Sequence, residues 1–182
     1  MLFRFQRLDA AGMGRSFERN DWEDSYYNSM FEREAGFQGR FRKLMGELFH
    51  PRLDELVQDG RHFETSLLYK PAQSRDLKLH QHVPLTEKPF APSIFCWCPL
   101  EDTDETSGTL MVVPGSHLLL RFLRTLKTEE FFMDYREELT RRHAVPVRLK
   151  AGEAILFENS LLHGSYPNAG GGARPVVLTI IL

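Results

Sequence analysis

Three histidines constrain the fold of this chain more than any other sequence feature. His80 and His82 are separated by one residue, and His163 follows about 80 residues later. Because side chains alternate between the two faces of a strand, His80 and His82 on one strand would point the same way. A third imidazole from a distant strand would then fill a third position around one metal ion and leave others open, as at non-haem iron sites. The pattern therefore favours a fold that brings two distant strands together.

The first third of the chain, residues 1–60, is predicted to form a polar lead-in followed by helix. Apolar residues between Trp22 and Phe49 recur mostly at spacings of three and four, which is typical of a helix that packs on one face. Gly36 and Gly39 weaken the middle of this stretch, so two helices or one broken helix both fit it.

Short strand-like runs dominate the rest of the chain. They are rich in β-branched or aromatic residues and are separated by prolines and glycines, as strands joined by turns are. A helical insertion is expected at about 117–143, with one helix from His117 to Leu126 and a second after Thr128. The predicted strands are Phe63–Tyr69, Leu77–His82, Ile94–Leu100, Thr109–Val113, Val145–Leu149, Ala154–Phe157, Leu161–His163 and Val176–Leu182.

This order of elements predicts a mainly β fold with flanking helices. Among such folds we expect a double-stranded β-helix, the cupin-like jelly-roll barrel, with an N-terminal helical buttress and one helical insertion. A length of 182 residues suits a single domain. In that domain, 1–60 would be the lead-in and buttress and 61–182 the barrel, whose mouth is a common place for a ligand pocket.

Composition and charge exclude several classes of protein. The formal net charge of -2 gives no cationic surplus for nucleic-acid binding. No apolar run approaches the roughly 18 residues of a membrane helix, and the N-terminus lacks the sustained apolar core of a signal peptide. The only cysteines, Cys96 and Cys98, lie two apart, which suits neither a disulfide framework nor a CxxC redox motif. We therefore expect a protein of the reducing cytoplasm, without nucleic-acid or membrane partners.

Four longer segments occur together in an order and spacing typical of one family. They read LKLHQH, IFCWCPLEDTDETSGTLMVVPGSH, LKAGEAILFENSLLHGSYPN and ARPVVLTIIL. Through these segments, the chain from about Leu67 to its end resembles the phytanoyl-CoA dioxygenase family of iron(II)- and 2-oxoglutarate-dependent oxygenases. In that family a strand reading roughly His-Gln-Asp opens the site, and this chain has His82 at the position of the aspartate.

The resemblance implies iron(II) bound by His80, His82 and His163. Three neutral imidazoles can hold a divalent ion, so His82 is a feasible replacement for the aspartate, although its side chain is longer and the backbone would have to lie farther from the metal. The alternative is that His82 swings aside and leaves two protein ligands. The other four histidines are expected to be structural: His50, His62, His117 and His143.

The resemblance also implies a binding site for 2-oxoglutarate. Arg174 would bind the far carboxylate of this cosubstrate, because a guanidinium offers a planar two-point donor fork. Ser165, two residues past His163, would add a hydroxyl donor, and Trp97 would wall the pocket.

The function implied is hydroxylation of a small-molecule or lipid-like metabolite with dioxygen. Two alternatives stay open: a cupin-type three-histidine metalloenzyme that uses no 2-oxoglutarate, and a catalytically inactive jelly-roll binding module. Arg174 distinguishes the 2-oxoglutarate-dependent oxygenase from the cupin-type metalloenzyme, because an enzyme that does not use 2-oxoglutarate needs no arginine there to bind its carboxylate.

Overall fold

A computed structural model describes residues 25–31, 35–83, 85, 92–119 and 132–182. Nine strands, three α-helices and two short 3-10 helices (Ser29–Phe31 and Met133–Tyr135) occur in this part of the chain. The strands are β1 (Tyr27–Asn28), β2 (His62–Lys70), β3 (Leu77–His80), β4 (Ile94–Pro99), β5 (Leu110–Val112), β6 (Val145–Val147), β7 (Ile155–Glu158), β8 (His163–Ser165) and β9 (Arg174–Ile181). The helices are α1 (Ala35–Leu56), α2 (Ser116–Leu119) and α3 (Arg136–His143).

The strands form two antiparallel sheets. The five-stranded sheet has the order β1-β2-β9-β4-β7, and the four-stranded sheet has the order β3-β8-β5-β6. Strands that are distant in sequence are therefore neighbours in space, since β2 pairs with β9 and β3 pairs with β8. This topology brings the two histidine segments of the sequence together.

Alternate residues of the central strands point to opposite sides of the five-stranded sheet, as the pleat requires. On β4, Phe95 and Trp97 enter a core that both sheets share, whereas Cys96 packs on the other side against Leu53 of α1. On β9, Leu178 enters the shared core in the same way. We call this shared cluster the inter-sheet core; its buried members are Phe95, Trp97, Leu110, Val112, Phe157, Leu161, Val176, Leu178 and Ile180.

Helix α1 covers the outer face of the five-stranded sheet. Its inward side chains Phe41, Met45 and Leu53 are buried against residues of β2, β4 and β9. The outer face of the four-stranded sheet has its own apolar cluster, to which Leu139 of α3 contributes. Among the described residues, no helix is long and apolar enough to cross a membrane.

The mainly β character with few helices is confirmed, but the predicted helical break is wrong. Helix α1 runs from Ala35 to Leu56 through Gly36 and Gly39 without interruption. Each glycine costs about 1 kcal/mol in a helix, whereas burial of one large apolar side chain contributes roughly 1.5–3 kcal/mol. Packing on the sheet therefore outweighs the local propensity. The stretch 27–31, also predicted as helix, forms β1 and a 3-10 helix.

Some predicted boundaries also differ from the structure. The strand expected over Leu77–His82 ends at His80, and the strand expected over Leu161–His163 instead begins at His163. In the insertion, α2 (Ser116–Leu119) begins one residue before the first predicted helix, His117–Leu126; the rest of that prediction falls in 120–131, which lie outside the described residues. Helix α3 has the expected basic last turn, at Arg141, Arg142 and His143.

Candidate functional site

Three imidazoles converge at the place where β3 meets β8. His80, the last residue of β3, is paired directly with His163, the first residue of β8. Together with His82, their potential ligand atoms all lie within 4.8 Å of one another. The ring centroids are 4.3 Å apart for His80 and His163, 4.7 Å for His82 and His163, and 5.2 Å for His80 and His82. This is the one group of three or more potential metal ligands that the described residues contain.

Hydrogen bonds fix the tautomer of two of these imidazoles. The Nδ1–H of His80 donates to the carbonyl oxygen of Lys78 at 2.9 Å, and the Nδ1–H of His163 donates to that of Leu161 at 2.9 Å. A carbonyl oxygen only accepts, so the proton resides on Nδ1 and the lone pair on Nε2. This arrangement orients a metal-binding histidine and fixes its ligating nitrogen.

The environment keeps His163 neutral. Burial, and secondarily the neighbouring His80 and His82, hold the pKa of His163 well below its ordinary value. A metal ligand has to be deprotonated to bind, so a buried, neutral His163 is suited to that role. The surrounding wall is apolar: the ring of Phe157 lies 4.9 Å from that of His163.

His82 reaches the cluster from outside a regular strand. It was expected on the same strand as His80, but β3 ends at His80. The ring of His82 stacks on Phe95, with centroids 4.2 Å apart and planes 10° from parallel. Its backbone N–H donates to the carbonyl oxygen of Asn159 at 3.0 Å. The strand-alternation argument was therefore wrong in detail, whereas the convergence of the three rings that it predicted is present.

A buried guanidinium faces the same interior. Arg174, the first residue of β9, is only 5% exposed. Its Nε and Nη1 groups have no hydrogen-bond partner among the residues that the structure describes. Its Cζ lies 5.1 Å from the centroid of the Trp97 ring, and burial lowers the pKa of Arg174 to about 9. A buried cation with unsatisfied donors is costly, and a carboxylate would satisfy both the charge and the donors.

Strand register relates this guanidinium to the imidazoles. Arg174 is on the same face of β9 as Val176 and Leu178, which belong to the inter-sheet core. Leu178 is paired with Trp97 on β4, and Phe95, two residues before Trp97, carries the stacked ring of His82. The interior therefore has a buried cation at one end, without a hydrogen-bond partner for its Nε and Nη1 among the described residues, and three imidazoles at the other, with aromatic rings between them.

Ser165 occupies the predicted face. It lies two residues past His163 on β8 and is buried, so both side chains project from the same side of the strand. Its partner across the sheet is Leu110, a member of the inter-sheet core. The structure thus places five of the six predicted site residues on strands that border one interior, and the sixth, His82, two residues past the end of β3.

Two polar side chains that the sequence analysis missed also border this interior. Lys70 is paired with Arg174 across β2 and β9 and is fully buried. Its Nζ donates to the carbonyl oxygens of Ser25 and Arg75 and to the Ser25 hydroxyl; burial, and secondarily Arg174, lower the pKa of Lys70 to about 7. Ser66 is paired with Leu178, and its buried hydroxyl has no hydrogen-bond partner in the described part of the chain. Period-two alternation along β2 could have indicated both.

The other histidines lie elsewhere. His50 and His62 stack on each other with centroids 3.7 Å apart, and the Nε2 of His62 forms a hydrogen bond of 2.6 Å with Asp54 on α1. His117 is in α2 and His143 is the last residue of α3. None of the four belongs to the cluster at His163.

A two-sheet β structure with convergent imidazoles and a buried, unpaired guanidinium defines a class of protein that can bind a metal ion together with an organic anion. The chain belongs to the phytanoyl-CoA dioxygenase (PhyH) family, whose model matches residues 10–176. The resemblance inferred from the sequence is thereby confirmed.

Known proteins similar to this chain agree with that assignment. Human peroxisomal phytanoyl-CoA dioxygenase is 30% identical over 131 residues, which cover 62% of this chain and 36% of that protein. The chain thus spans about a third of the length of this relative. Among solved structures, the 2-oxoglutarate-dependent epimerase SnoN of nogalamycin biosynthesis is 19% identical with a TM-score of 0.64, over 86% of this chain and 61% of that one.

The HygX protein of Streptomyces hygroscopicus, solved with nickel, 2-oxoglutarate and hygromycin B bound, has the same fold. It is 18% identical with a TM-score of 0.56, over 78% of this chain and 64% of that one. Iron(II) and 2-oxoglutarate, the cofactors expected from the sequence, agree with the family and with the groups bound in HygX. The cluster of three imidazoles fits a divalent ion, and the buried Arg174, whose Nε and Nη1 have no hydrogen-bond partner among the described residues, fits a dicarboxylate.

Proposed function

We propose that this protein is an iron(II)- and 2-oxoglutarate-dependent dioxygenase that hydroxylates a small-molecule or lipid-like substrate. The observation that carries the proposal is the buried guanidinium of Arg174, whose unpartnered N–H groups border the same interior as the three imidazoles. Metal ligands alone would fit many enzymes. A cation without a counterion in that interior favours a reaction that uses a carboxylate cosubstrate.

The strand order supports the finer assignment of the fold. We infer a double-stranded β-helix, or jelly-roll barrel, formed by 61–182 of a single domain with α1 as its buttress. In support, the eight strands from β2 to β9 divide equally between the two antiparallel sheets, with β2, β4, β7 and β9 in one and β3, β5, β6 and β8 in the other, and the sheets share one core. Ligands carried on such facing strands point into the barrel.

At one end of the interior, His80, His82 and His163 would hold the iron. Two of them have Nδ1 engaged with backbone carbonyl oxygens and Nε2 available, and His82 is backed by the Phe95 ring. Bound iron(II) and 2-oxoglutarate supply dioxygen activation coupled to decarboxylation of the cosubstrate to succinate. The protein's own contribution is to orient the ligands and to exclude water with the apolar rings around them.

At the other end, Arg174 would bind the distal carboxylate of 2-oxoglutarate. Ser165 would donate its hydroxyl to the same group, and Trp97, already in cation–π contact with Arg174, would form the wall beside it. In a buried site, removing one partner of a charge-assisted pair of this kind costs on the order of 2–5 kcal/mol. Arg174 would thus contribute a large part of the cosubstrate affinity.

A cleft next to the site supports a substrate with an apolar portion. It has a volume of about 530 Å³ and is lined mainly by aliphatic side chains of α1, β4 and β7. Phe157 and Leu161 line this cleft and also belong to the inter-sheet core. The free, buried thiols of Cys96 and Cys98 support a reducing compartment, and we place the protein in the cytoplasm.

A second candidate is a three-histidine metalloenzyme that does not use 2-oxoglutarate. It is favoured by one observation: among the described residues, the cluster contains three imidazoles and no carboxylate. Three neutral ligands supply no negative charge to the metal, in contrast to the His-Gln-Asp pattern that this chain otherwise resembles.

The experiment that separates these functions combines metal analysis with a turnover assay. The protein is loaded anaerobically with iron(II), freed of unbound metal, and exposed to oxygen with and without 2-oxoglutarate; bound iron and succinate are measured. Retained iron with 2-oxoglutarate-dependent succinate supports the proposed function. Retained iron with no succinate and no effect of 2-oxoglutarate on iron retention favours the second candidate. Failure to retain iron refutes both and leaves the inactive binding module.

A further inference from the structure

His82 is the metal-site histidine whose backbone position is not set by a strand. Strand β3 ends at His80, and 81–83 have no regular secondary structure. An imidazole is longer than a carboxylate, so a ligating His82 needs a backbone set farther from the metal than an aspartate would. Because His82 lies outside β3, its backbone is not held at the distance that the strand would impose. Other contacts then have to hold His82 in place.

Those contacts come from the segment that follows β7. The backbone N–H of His82 donates to the carbonyl oxygen of Asn159 at 3.0 Å. The side-chain Nε2 of the preceding residue, Gln81, donates to the carbonyl oxygen of Ser160. Two successive residues are thus tied to two successive carbonyl groups, and the register of His82 depends on where 159–160 lie.

Asn159 is itself fixed by a reciprocal pair of hydrogen bonds with Ser93. The backbone N–H of Asn159 donates to the carbonyl oxygen of Ser93 at 2.9 Å, and the backbone N–H of Ser93 donates to the side-chain Oδ1 of Asn159 at 3.1 Å. The Ser93 hydroxyl in turn accepts the N–H of Leu85 at 3.1 Å. Ser93 is fully buried and Asn159 is 9% exposed, so water does not substitute readily for these bonds.

The same link also fixes the ring behind His82. Phe95 lies two residues after Ser93, at the start of β4, and stacks under the His82 imidazole. Asn159 therefore holds the backbone of His82 through its carbonyl group and the start of β4 through its side chain. We call this set of contacts the Asn159 clamp; it comprises Gln81, His82, Ser93, Asn159 and Ser160.

We propose that Asn159 is a positioning residue that holds His82 as the third metal ligand. The inference rests on the proposed function, since it presupposes a metal ion at the three imidazoles. Partners that orient metal ligands from behind typically change metal affinity 10- to 100-fold when removed. Loss of the Asn159 side chain should have an effect of that size, and the effect should pass through His82.

The test is cobalt(II) binding to the full chain, measured by titration and by the visible absorption of the bound ion, which reports its ligand set. We expect Asn159→Ala to weaken cobalt affinity at least tenfold and to shift the spectrum toward that of His82→Ala. Asn159→Asp keeps an Oδ1 acceptor for the Ser93 amide and should retain the wild-type spectrum. In the His82→Ala background, Asn159→Ala should add no further loss.

The matched control is Asn168→Ala. Asn168 is another buried asparagine, and its amide donates to the carbonyl oxygens of Lys70 and Gly172. This variant should lower the unfolding temperature without changing cobalt affinity or spectrum. Should Asn159→Ala not fold, Asn159→Ser takes its place, because the shorter side chain does not reach the Ser93 amide.

Two results would overturn the Asn159 clamp. One is a folded Asn159→Ala variant with the cobalt affinity and spectrum of the wild-type protein. The other is that Asn159→Ala lowers cobalt affinity in the His82→Ala background as much as it does in the wild-type protein. The first would mean that His82 is held without Asn159, and the second that Asn159 affects metal binding by a route that does not involve His82. If the wild-type protein binds no cobalt, the proposed function fails as well. That outcome is distinguishable because it does not depend on any variant.

Discussion

Replacement of Arg174 by methionine should move stability and cosubstrate affinity in opposite directions. Methionine keeps an unbranched apolar stem beside Trp97 but removes the guanidinium. In the unliganded protein this takes away a buried cation whose Nε and Nη1 have no hydrogen-bond partner among the described residues. In the complex with 2-oxoglutarate it takes away the partner of a carboxylate.

The magnitudes follow from burial. One pKa unit corresponds to about 1.4 kcal/mol, so lowering the pKa of Arg174 from 12.5 to about 9 sets an upper bound of roughly 5 kcal/mol on the cost of the charge. The cation–π contact with Trp97 offsets roughly 0.5–2 kcal/mol of the cost of burying the charge. We therefore expect the free energy of unfolding of the unliganded variant to rise by about 1–3 kcal/mol. The affinity for 2-oxoglutarate should fall by about 2–5 kcal/mol, which is roughly 30-fold or more.

Two measurements on the same samples test this prediction. Denaturant unfolding without ligand gives the stability, and anaerobic calorimetry of the nickel-loaded protein with 2-oxoglutarate gives the affinity. Arg148→Met is the matched control, because Arg148 is an exposed arginine paired with Glu105, and both quantities should change little. Unchanged 2-oxoglutarate affinity in Arg174→Met would refute the carboxylate clamp. A loss of several kcal/mol of stability would refute the claim that the cation is unsatisfied.

Substitutions at two further positions, His82 and Gly164, address the imidazole cluster. His82→Asp should raise iron(II) affinity at neutral pH about tenfold, because a carboxylate adds a negative charge beside the ion; the shorter side chain requires 81–83, which lie outside a regular strand, to shift toward the metal. His82→Ala should lower the affinity. Iron occupancy after gel filtration measures both, and equal occupancy for histidine and alanine would show that His82 is no ligand. Gly164→Ala should place a Cβ against the carbonyl oxygen of Leu77 and push β3 away from β8. The variant should therefore be destabilised by about 1–3 kcal/mol and should bind metal more weakly. Gly171→Ala, where a Cβ meets nothing within 4 Å, is its control in thermal unfolding, and equal behaviour of the two variants would contradict the steric argument.

The elements that sequence reasoning predicted well are those with strong local periodicity or specific spacing. Short runs of β-branched and aromatic residues, bounded by prolines and glycines, indicated β2, β4 and β9, and the joint spacing of His80, His163 and Arg174 indicated residues that prove to border one interior. The helix boundaries were less predictable. Gly36 and Gly39 suggest a break in α1, but the break is absent because α1 is stabilised by a sheet whose position local propensity does not encode.

The contacts that were missed depend on tertiary structure. Lys70 has the sequence signature of an ordinary charged residue at a strand end, and only its pairing with Arg174 reveals a buried cation in the interior. Asn159 lies in a turn between strands, where asparagine is common for local reasons. Its link to Ser93 spans 66 residues, and nothing in the local sequence indicates it. His82 was expected on a strand, because alternation assumes that the strand continues past His80.

The central claim is that the three imidazoles and Arg174 serve one iron centre that binds 2-oxoglutarate. Anaerobic titration of 2-oxoglutarate into the iron(II)-loaded protein tests it most directly, because a 2-keto acid chelated to iron(II) produces a visible charge-transfer absorption. We predict a saturable band in the wild-type protein, no band in His163→Ala, and a band in Arg174→Met that needs roughly 30-fold or more additional 2-oxoglutarate. Wild-type protein that retains iron but shows no band at saturating 2-oxoglutarate would contradict the account.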